Sequence, residues 1–134
     1  MIFSDTNVFV YAFSDDPKRV PAQRILADGG LISAQVLNEF ASIMRTKARR
    51  TWEEIERSLS LILRRFPTVL PLTLETHAAA VALARDHSLA FYDALILAAA
   101  IEAGCETLYS EDFQHGRRFG DLTIVNPFLH RASP

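Results

Sequence analysis

Residues 92–104, YDALILAAAIEAG, are apolar on nearly every side, and this segment limits the possible folds more than any other part of the chain. Asp93 near its start and Gly104 at its end are typical of helix boundaries. A helix that lacks a polar face must be buried between layers of structure. The chain is therefore expected to build a layered core with this helix inside it.

Short apolar segments alternate with amphipathic ones in the rest of the sequence. Strands are predicted in the first half of residues 1–13, at 31–33, around Val69, at 107–110 and at 122–125. A short helix is predicted after a turn that contains Pro17, and it ends at Gly29. Further helices are predicted at 34–50, at 52–66 and from Thr73 to about His87, and Thr51 and Glu54 form a capping box at the start of the helix at 52–66. This alternation predicts an α/β fold with three layers, α/β/α, around a central parallel sheet.

Length and composition limit the class of protein further. The chain has 134 residues, 49% of them hydrophobic, and no linker-like or repeated stretch, so one domain over residues 1–134 is expected. Cys105 is the only cysteine, which excludes an internal disulfide or cysteine-based zinc site and favours a reducing cytoplasm. The first residues lack the basic segment of a signal peptide, and no apolar run approaches the ~18 residues of a membrane span. We therefore expect a soluble cytoplasmic protein without a membrane partner.

The formal net charge of −2 argues against a general nucleic-acid coat protein, because phosphate binding normally needs a strong basic excess. It leaves room for a local basic path beside an acidic pocket. Basic residues do cluster at 45–50, at 64–65 and at 117–118.

Four acidic residues stand at positions where a carboxylate is unusual. Asp5 falls near the end of the first predicted strand, and Asp112 lies just past the strand at 107–110. Glu39 shares a helix stripe with apolar residues, where an ionised group is costly without compensation. Asp93 begins the buried helix, where the helix dipole favours an anion. In open α/β sheets, ligands bind beyond the carboxyl ends of the strands where the strand order reverses. The four carboxylates are therefore expected to face one crevice.

Each of these residues also has an ordinary structural explanation. Asp93 could be a helix N-cap, and Asp5 with Asn7 could form an Asx turn. Glu39 could point to water, and Asp112 could be a polar loop residue beside Glu111. The joint placement of the four favours a functional site over these separate explanations.

Four crowded negative charges either raise one another's pKa values or require a cation, and oxygen ligands of this kind suit Mg²⁺ or Mn²⁺. His77, His87 and His130 lack metal-ligand spacing. Because Mg²⁺ keeps several waters, only some of the carboxylates would bind it directly. Such an arrangement can activate water for attack on a phosphorus atom, which indicates phosphodiester hydrolysis.

Four segments carry a resemblance to a known family. SDTNVFVYAF, SAQVLNEF, YDALILAAAIEAG and LYSEDFQHG resemble, in order and spacing, the four acidic motifs of PIN domains, especially the small bacterial VapC-type toxins of toxin–antitoxin pairs. The match spans nearly the whole chain. The resemblance implies an endoribonuclease dependent on Mg²⁺ or Mn²⁺, often a homodimer, that is neutralised by a cognate antitoxin covering or entering the acidic pocket.

The resemblance also implies roles for individual residues. Catalytic positions would be Asp5, Glu39, Asp93 and Asp112, of which Asp5, Asp93 and Asp112 would hold the metal. Ser110 and Asn7 would support them, as the hydroxyl residue before the last aspartate and the polar residue after the first.

Two points stay open at the fourth motif. Glu111 competes with Asp112 for the ligand role, although the S-x-D spacing favours Asp112. The loop that follows Asp112 also contains His115, Arg117 and Arg118, and the hypothesis is that these three residues contact substrate phosphate.

Two other functions compete with the ribonuclease. A phosphatase of the haloacid dehalogenase type also places an aspartate at the end of its first strand, but it needs a second acid–base residue where this chain has Asn7. A PIN-like module kept only for protein binding is the other alternative, and four acidic positions argue against it.

Overall fold

The computed structural model describes residues 1–129, so His130 lies outside the described part. The strands are β1 (Ile2–Ser4), β2 (Ile32–Ser33), β3 (Val69–Leu70), β4 (Thr107–Tyr109), β5 (Arg118–Phe119) and β6 (Leu122–Val125). The helices are α1 (Thr6–Ala12), α2 (Arg19–Asp28), α3 (Ala34–Thr46), α4 (Trp52–Arg65), α5 (Leu74–His87) and α6 (Phe91–Glu102). Within residues 1–129, no helix is long and apolar enough to span a membrane.

The strand order places β1 and β4 side by side at the centre of a mostly parallel sheet. A four-stranded sheet has the order β1-β4-β6-β5, and β2 and β3 form a parallel pair. The pair joins the larger sheet because the Ser4 amide donates to the Leu31 carbonyl and the Leu31 amide donates to the Ile2 carbonyl. Since β2 lies on one side of β1 and β4 on the other, the strand order reverses between β1 and β4. The prediction of an α/β fold with a central parallel sheet is confirmed.

Helix α6 is enclosed as its sequence predicts. Ile96, Leu97 and Ala100 belong to the main core, which also contains Phe3 and Leu108 from the sheet. The opposite side of the helix uses Ala94, Leu95 and Ala98 to pack against Ala80 of α5. These residues are nearly all inaccessible to solvent, so α6 fixes the distance between the sheet and α5.

Strand β1 lies in the first half of residues 1–13, as predicted, but helix α1 after it was not predicted. Only Ile2–Ser4 forms a strand, and the strand-forming residues after Asp5 continue as helix α1. The reason is that Asp5 caps the helix and that Val8, Phe9 and Ala12 then face the core together, so packing overrides their β propensity. The short strand β5, antiparallel to β6, was also not predicted from the sequence.

Candidate functional site

Asp5 lies at the junction of β1 and α1, at the carboxyl edge of the sheet. It is 2% exposed, and both of its carboxylate oxygens accept hydrogen bonds. The Thr6 amide donates to Oδ1 at 2.6 Å, and the Ser110 hydroxyl donates to Oδ2 at 2.7 Å. Asp5 is therefore held rigidly, with its side chain directed towards the residues that follow β4.

Ser110 connects the first and fourth acidic positions. Its amide donates to the Val125 carbonyl at 3.1 Å, which fixes the residue just beyond the end of β4. Its Oγ donates to Asp5 and accepts a hydrogen bond from the Asp112 amide at 3.1 Å. The S-x-D spacing thus forms a local turn that brings Asp112 beside Asp5.

Glu39 reaches the same place from α3. Its side chain is half-buried, and its Oε2 accepts a hydrogen bond from the Thr6 hydroxyl at 2.9 Å. Thr6 was not selected from the sequence, because its role depends on the packing of α1 against α3. It connects two carboxylates, through its amide to Asp5 and through its hydroxyl to Glu39.

Asp93 is not the N-cap of α6, since Ala90 occupies that position and Asp93 is the third residue of the helix. Burial, together with the charges of Asp112 and Glu39, raises the pKa of Asp93 to about 6. The N-cap explanation for this aspartate is thereby removed, and its nearest electrostatic partners are the other acidic residues.

The same forces act on the other carboxylates. Burial raises the pKa of Asp5 to about 8, the neighbouring Asp112 contributes in the same direction, and the hydrogen bond from Ser110 opposes the rise. Burial also raises the pKa of Glu39, against the hydrogen bond from Thr6. Asp5, Glu39 and Asp93 thus have raised pKa values, and the charge of the neighbouring Asp112 contributes to each rise.

Glu111 points away from this pocket. Its carboxylate accepts hydrogen bonds from the Tyr11 hydroxyl at 2.6 Å, from the Lys18 ammonium at 2.9 Å and from the Asn7 amide group at 3.3 Å. The structure therefore places Asp112, and not Glu111, with the other acidic residues. Asn7 contacts Glu111 and so holds the loop after β4 against α1.

Lys18→Met tests how much the contact between Lys18 and Glu111 contributes to stability. The substitution leaves Glu111 partly buried without its cation, so we expect the free energy of unfolding to fall by about 1 kcal/mol. Urea denaturation measures the change. Arg85→Met is the control, because it breaks a salt bridge to Asp86 whose two side chains are far more exposed, and no measurable loss is expected. Equal losses in the two variants would contradict a structural role for the Lys18–Glu111 pair.

Among residues 1–129, the three basic residues of the fourth motif form no salt bridge with the carboxylates. Arg117 contacts the His87 ring at 3.3 Å and lies over Phe119. Arg118 lies on the edge strand β5 and pairs with Thr123 of β6. Thr123 in turn pairs with Thr107 at the start of β4. His115 accepts a hydrogen bond from the Asn126 amide at 3.0 Å.

The composition of the pocket fits a hard divalent cation. In the salt bridges found among residues 1–129, none of the four carboxylates is paired with a basic side chain. Over the same residues, no three or more acidic, histidine or cysteine side chains are already arranged as a metal-binding group. An all-oxygen donor set of this kind suits Mg²⁺ or Mn²⁺, since Mg²⁺ needs only one or two direct carboxylates and keeps its waters.

Comparison with solved structures identifies proteins of similar fold. VapC20 of Mycobacterium tuberculosis, described as a sarcin–ricin loop cleaving toxin, matches with a TM-score of 0.70 and 21% identity over 84% of this chain and 90% of its own. A toxin–antitoxin complex from Klebsiella pneumoniae matches with a TM-score of 0.70 and 22% identity, covering 96% and 98% of the two chains. VapBC2 of Rickettsia felis, bound to a promoter DNA fragment, matches with a TM-score of 0.65 and 21% identity, covering 92% and 97%.

Comparison with families and curated sequences completes the assignment. No curated protein sequence matches the chain significantly. The PIN domain family model matches residues 2–118, which include all four carboxylates and the strands β1 and β4 that bring Asp5 and Asp112 together. The chain belongs to the PIN domain family.

Proposed function

We propose that the protein is a metal-dependent endoribonuclease that hydrolyses phosphodiester bonds in RNA, and that it is the toxin of a type II toxin–antitoxin pair. The observation that carries the proposal is the convergence of Asp5, Glu39, Asp93 and Asp112 at the reversal of strand order. Among residues 1–129, none of these carboxylates forms a salt bridge with a basic side chain. An acidic pocket of this kind attracts divalent cations and disfavours a bare phosphate.

Asp5, Asp93 and Asp112 would hold Mg²⁺ or Mn²⁺. When bound, the ion supplies positive charge that stabilises the developing negative charge on the phosphate. The hydrogen bonds from the Thr6 amide and the Ser110 hydroxyl orient the Asp5 carboxylate. Glu39, whose pKa is raised by burial, is suited to accept a proton from the attacking water, while the Thr6 hydroxyl holds its other oxygen.

The toxin assignment is supported by the solved structures of similar fold. One of them is described as a toxin that cleaves the sarcin–ricin loop, and the other two are toxin–antitoxin assemblies. By this analogy the protein would act in the cytoplasm as a homodimer, and a cognate antitoxin would cover the acidic pocket.

Cleavage of single-stranded RNA by the purified protein tests the proposal. With Mg²⁺ or Mn²⁺ we expect internal cuts, and we expect Asp93→Asn to reduce the rate at least ~100-fold because it removes a metal-binding carboxylate. Asp86→Asn changes an exposed aspartate on α5 and should match the wild type. Absence of cleavage with either metal would instead favour a protein-binding module, and full activity of Asp93→Asn would reject the assigned site. Sequencing the RNA ends produced on induction would identify the target.

A further inference from the structure

We propose that the turn between α3 and α4 binds single-stranded RNA and leads it to the carboxylate pocket. This surface, the basic corner, consists of Arg45, Lys47, Arg49, Arg50 and Trp52. The inference rests on the proposed function, since it assigns a docking surface to the same RNA substrate. The contact of His115, Arg117 and Arg118 with substrate phosphate stays a separate prediction.

The positive charge of the corner is local and only partly compensated. Residues 45–50 contain four basic side chains and no acidic one, in a protein whose net charge is −2. Arg50 is shared between Glu54 at 3.4 Å and the Phe13 carbonyl. Lys47 and Arg49 are exposed, and among residues 1–129 neither forms a salt bridge. Two cations are therefore free to contact phosphate.

Trp52 adds an aromatic surface to these charges. It is the only tryptophan of the chain and is 56% exposed, although such a large apolar side chain is usually well buried. The Arg45 guanidinium lies 4.9 Å from the ring centroid and also donates to the Arg50 carbonyl at 3.1 Å. An exposed indole ring beside cations matches the platforms on which single-stranded bases stack.

The backbone of the corner is ordered before any ligand binds. The Lys47 and Ala48 amides both donate to the Ile43 carbonyl, and the Arg50 amide donates to the Met44 carbonyl. Arg49 adopts a left-handed conformation with φ of 53°, which is unusual for a residue other than glycine. A turn fixed in this way presents its side chains at low entropic cost.

Two helices connect the corner to the carboxylate pocket. Arg50 contacts the carbonyl of Phe13, the C-cap of α1, and the N-cap of that helix is Asp5. Arg45 follows Glu39 on α3 by six residues, or about 9 Å along the helix axis. A short strand of RNA bound at the corner can therefore place a phosphodiester near the acidic residues.

Fluorescence of Trp52 reports binding directly, because no other tryptophan contributes. The probe is a single-stranded 12-nucleotide RNA, titrated without divalent metal so that cleavage does not interfere. We expect quenching on stacking, and we expect the double variant Lys47→Gln/Arg49→Gln to bind at least ~10-fold more weakly. Its plot of log affinity against log salt should be shallower by about 1.4, since each lost contact to a single strand contributes about 0.7.

The control is Arg64→Gln/Arg65→Gln, which removes the same charge from exposed positions at the end of α4. It should bind the RNA within about twofold of the wild type if local contacts, and not net charge, decide affinity. Equal weakening by the two double variants, or binding without quenching, would overturn the proposal. Tighter binding of a polyglutamate peptide than of the RNA would also overturn it, in favour of an acidic protein partner.

Cleavage kinetics separate this inference from the proposed function. Trp52→Ala should raise KM for a long RNA at least ~5-fold and leave kcat unchanged, because stacking aids binding and not the chemical step. If the wild type cleaves RNA but the corner variants behave like it, the docking surface is wrong and the ribonuclease stands. If the corner binds RNA as expected and no metal supports cleavage, the ribonuclease is wrong and the docking surface stands.

Discussion

Asp5→Asn is expected to abolish RNA cleavage and, at the same time, to stabilise the metal-free fold. The carboxylate is buried, and burial raises its pKa from 3.8 to about 8. Asparagine has nearly the same shape, and its amide can keep the contacts with the Thr6 amide and the Ser110 hydroxyl. The variant therefore loses the charge that the proposed chemistry needs and also loses the cost of burying that charge.

The sign of the pH dependence follows from the raised pKa. The native state binds the Asp5 proton more tightly than the unfolded chain does, so this contribution to stability is complete below pH 3.8 and is lost as the pH rises to about 8. The stability advantage of Asp5→Asn over the wild type should therefore grow by about 2 to 4 kcal/mol between pH 5 and pH 8, since one pKa unit corresponds to about 1.4 kcal/mol. Urea denaturation in EDTA across this range measures it.

Asp121→Asn is a suitable control for the cleavage assay and for the pH dependence of stability, because Asp121 is exposed on the turn between β5 and β6. It should retain cleavage, and its stability should follow the wild type at every pH. If the difference in the free energy of unfolding between Asp5→Asn and the wild type were the same at every pH, the pKa of Asp5 would not be raised in the native state. Cleavage by Asp5→Asn at the wild-type rate would remove Asp5 from the mechanism.

The sequence predicted the parts of the site that depend on chain topology. The rule that ligands bind where strand order reverses predicts that Asp5 and Asp112 lie together if their strands flank the reversal, and these strands are adjacent in the sheet. Ser110 was identified by the resemblance to the fourth acidic motif of PIN domains. The alternation of apolar and amphipathic segments predicted a parallel sheet with a reversal of strand order, and the structure shows that β1 and β4 are the strands at the reversal.

Contacts that depend on helix packing were not accessible from the sequence. The strand propensity of the residues after Asp5 hid helix α1, and with it the role of Thr6 as a link between Asp5 and Glu39. Lys18 and Glu111 are 93 residues apart, and no pattern in either segment indicates their pairing. The contacts of His115, Arg117 and Arg118 were not accessible for the same reason, because the path of the loop after Asp112 depends on strand β5.

Adding Mn²⁺ or Mg²⁺ at pH 8 is expected to raise the melting temperature of the wild-type protein and to restore cleavage lost in EDTA. A cation that binds only the native state at 100 times its Kd adds about 2.7 kcal/mol to the free energy of unfolding. For a chain of this size that corresponds to a shift of roughly 10 °C. The shift should be smaller at pH 5.5, because protons then compete for Asp5 and Asp93, whose pKa values are about 8 and about 6.

Asp5→Asn separates binding at the carboxylate pocket from a general effect of divalent ions. In this variant we expect the metal-induced rise in melting temperature to fall to a small fraction of the wild-type value, because the buried ligand has lost its charge. Sodium chloride at matched ionic strength should not reproduce the wild-type shift, since screening acts on exposed charges and Asp5 is buried. An equal shift in wild type and Asp5→Asn would place the cation elsewhere on the protein and would contradict the proposed site.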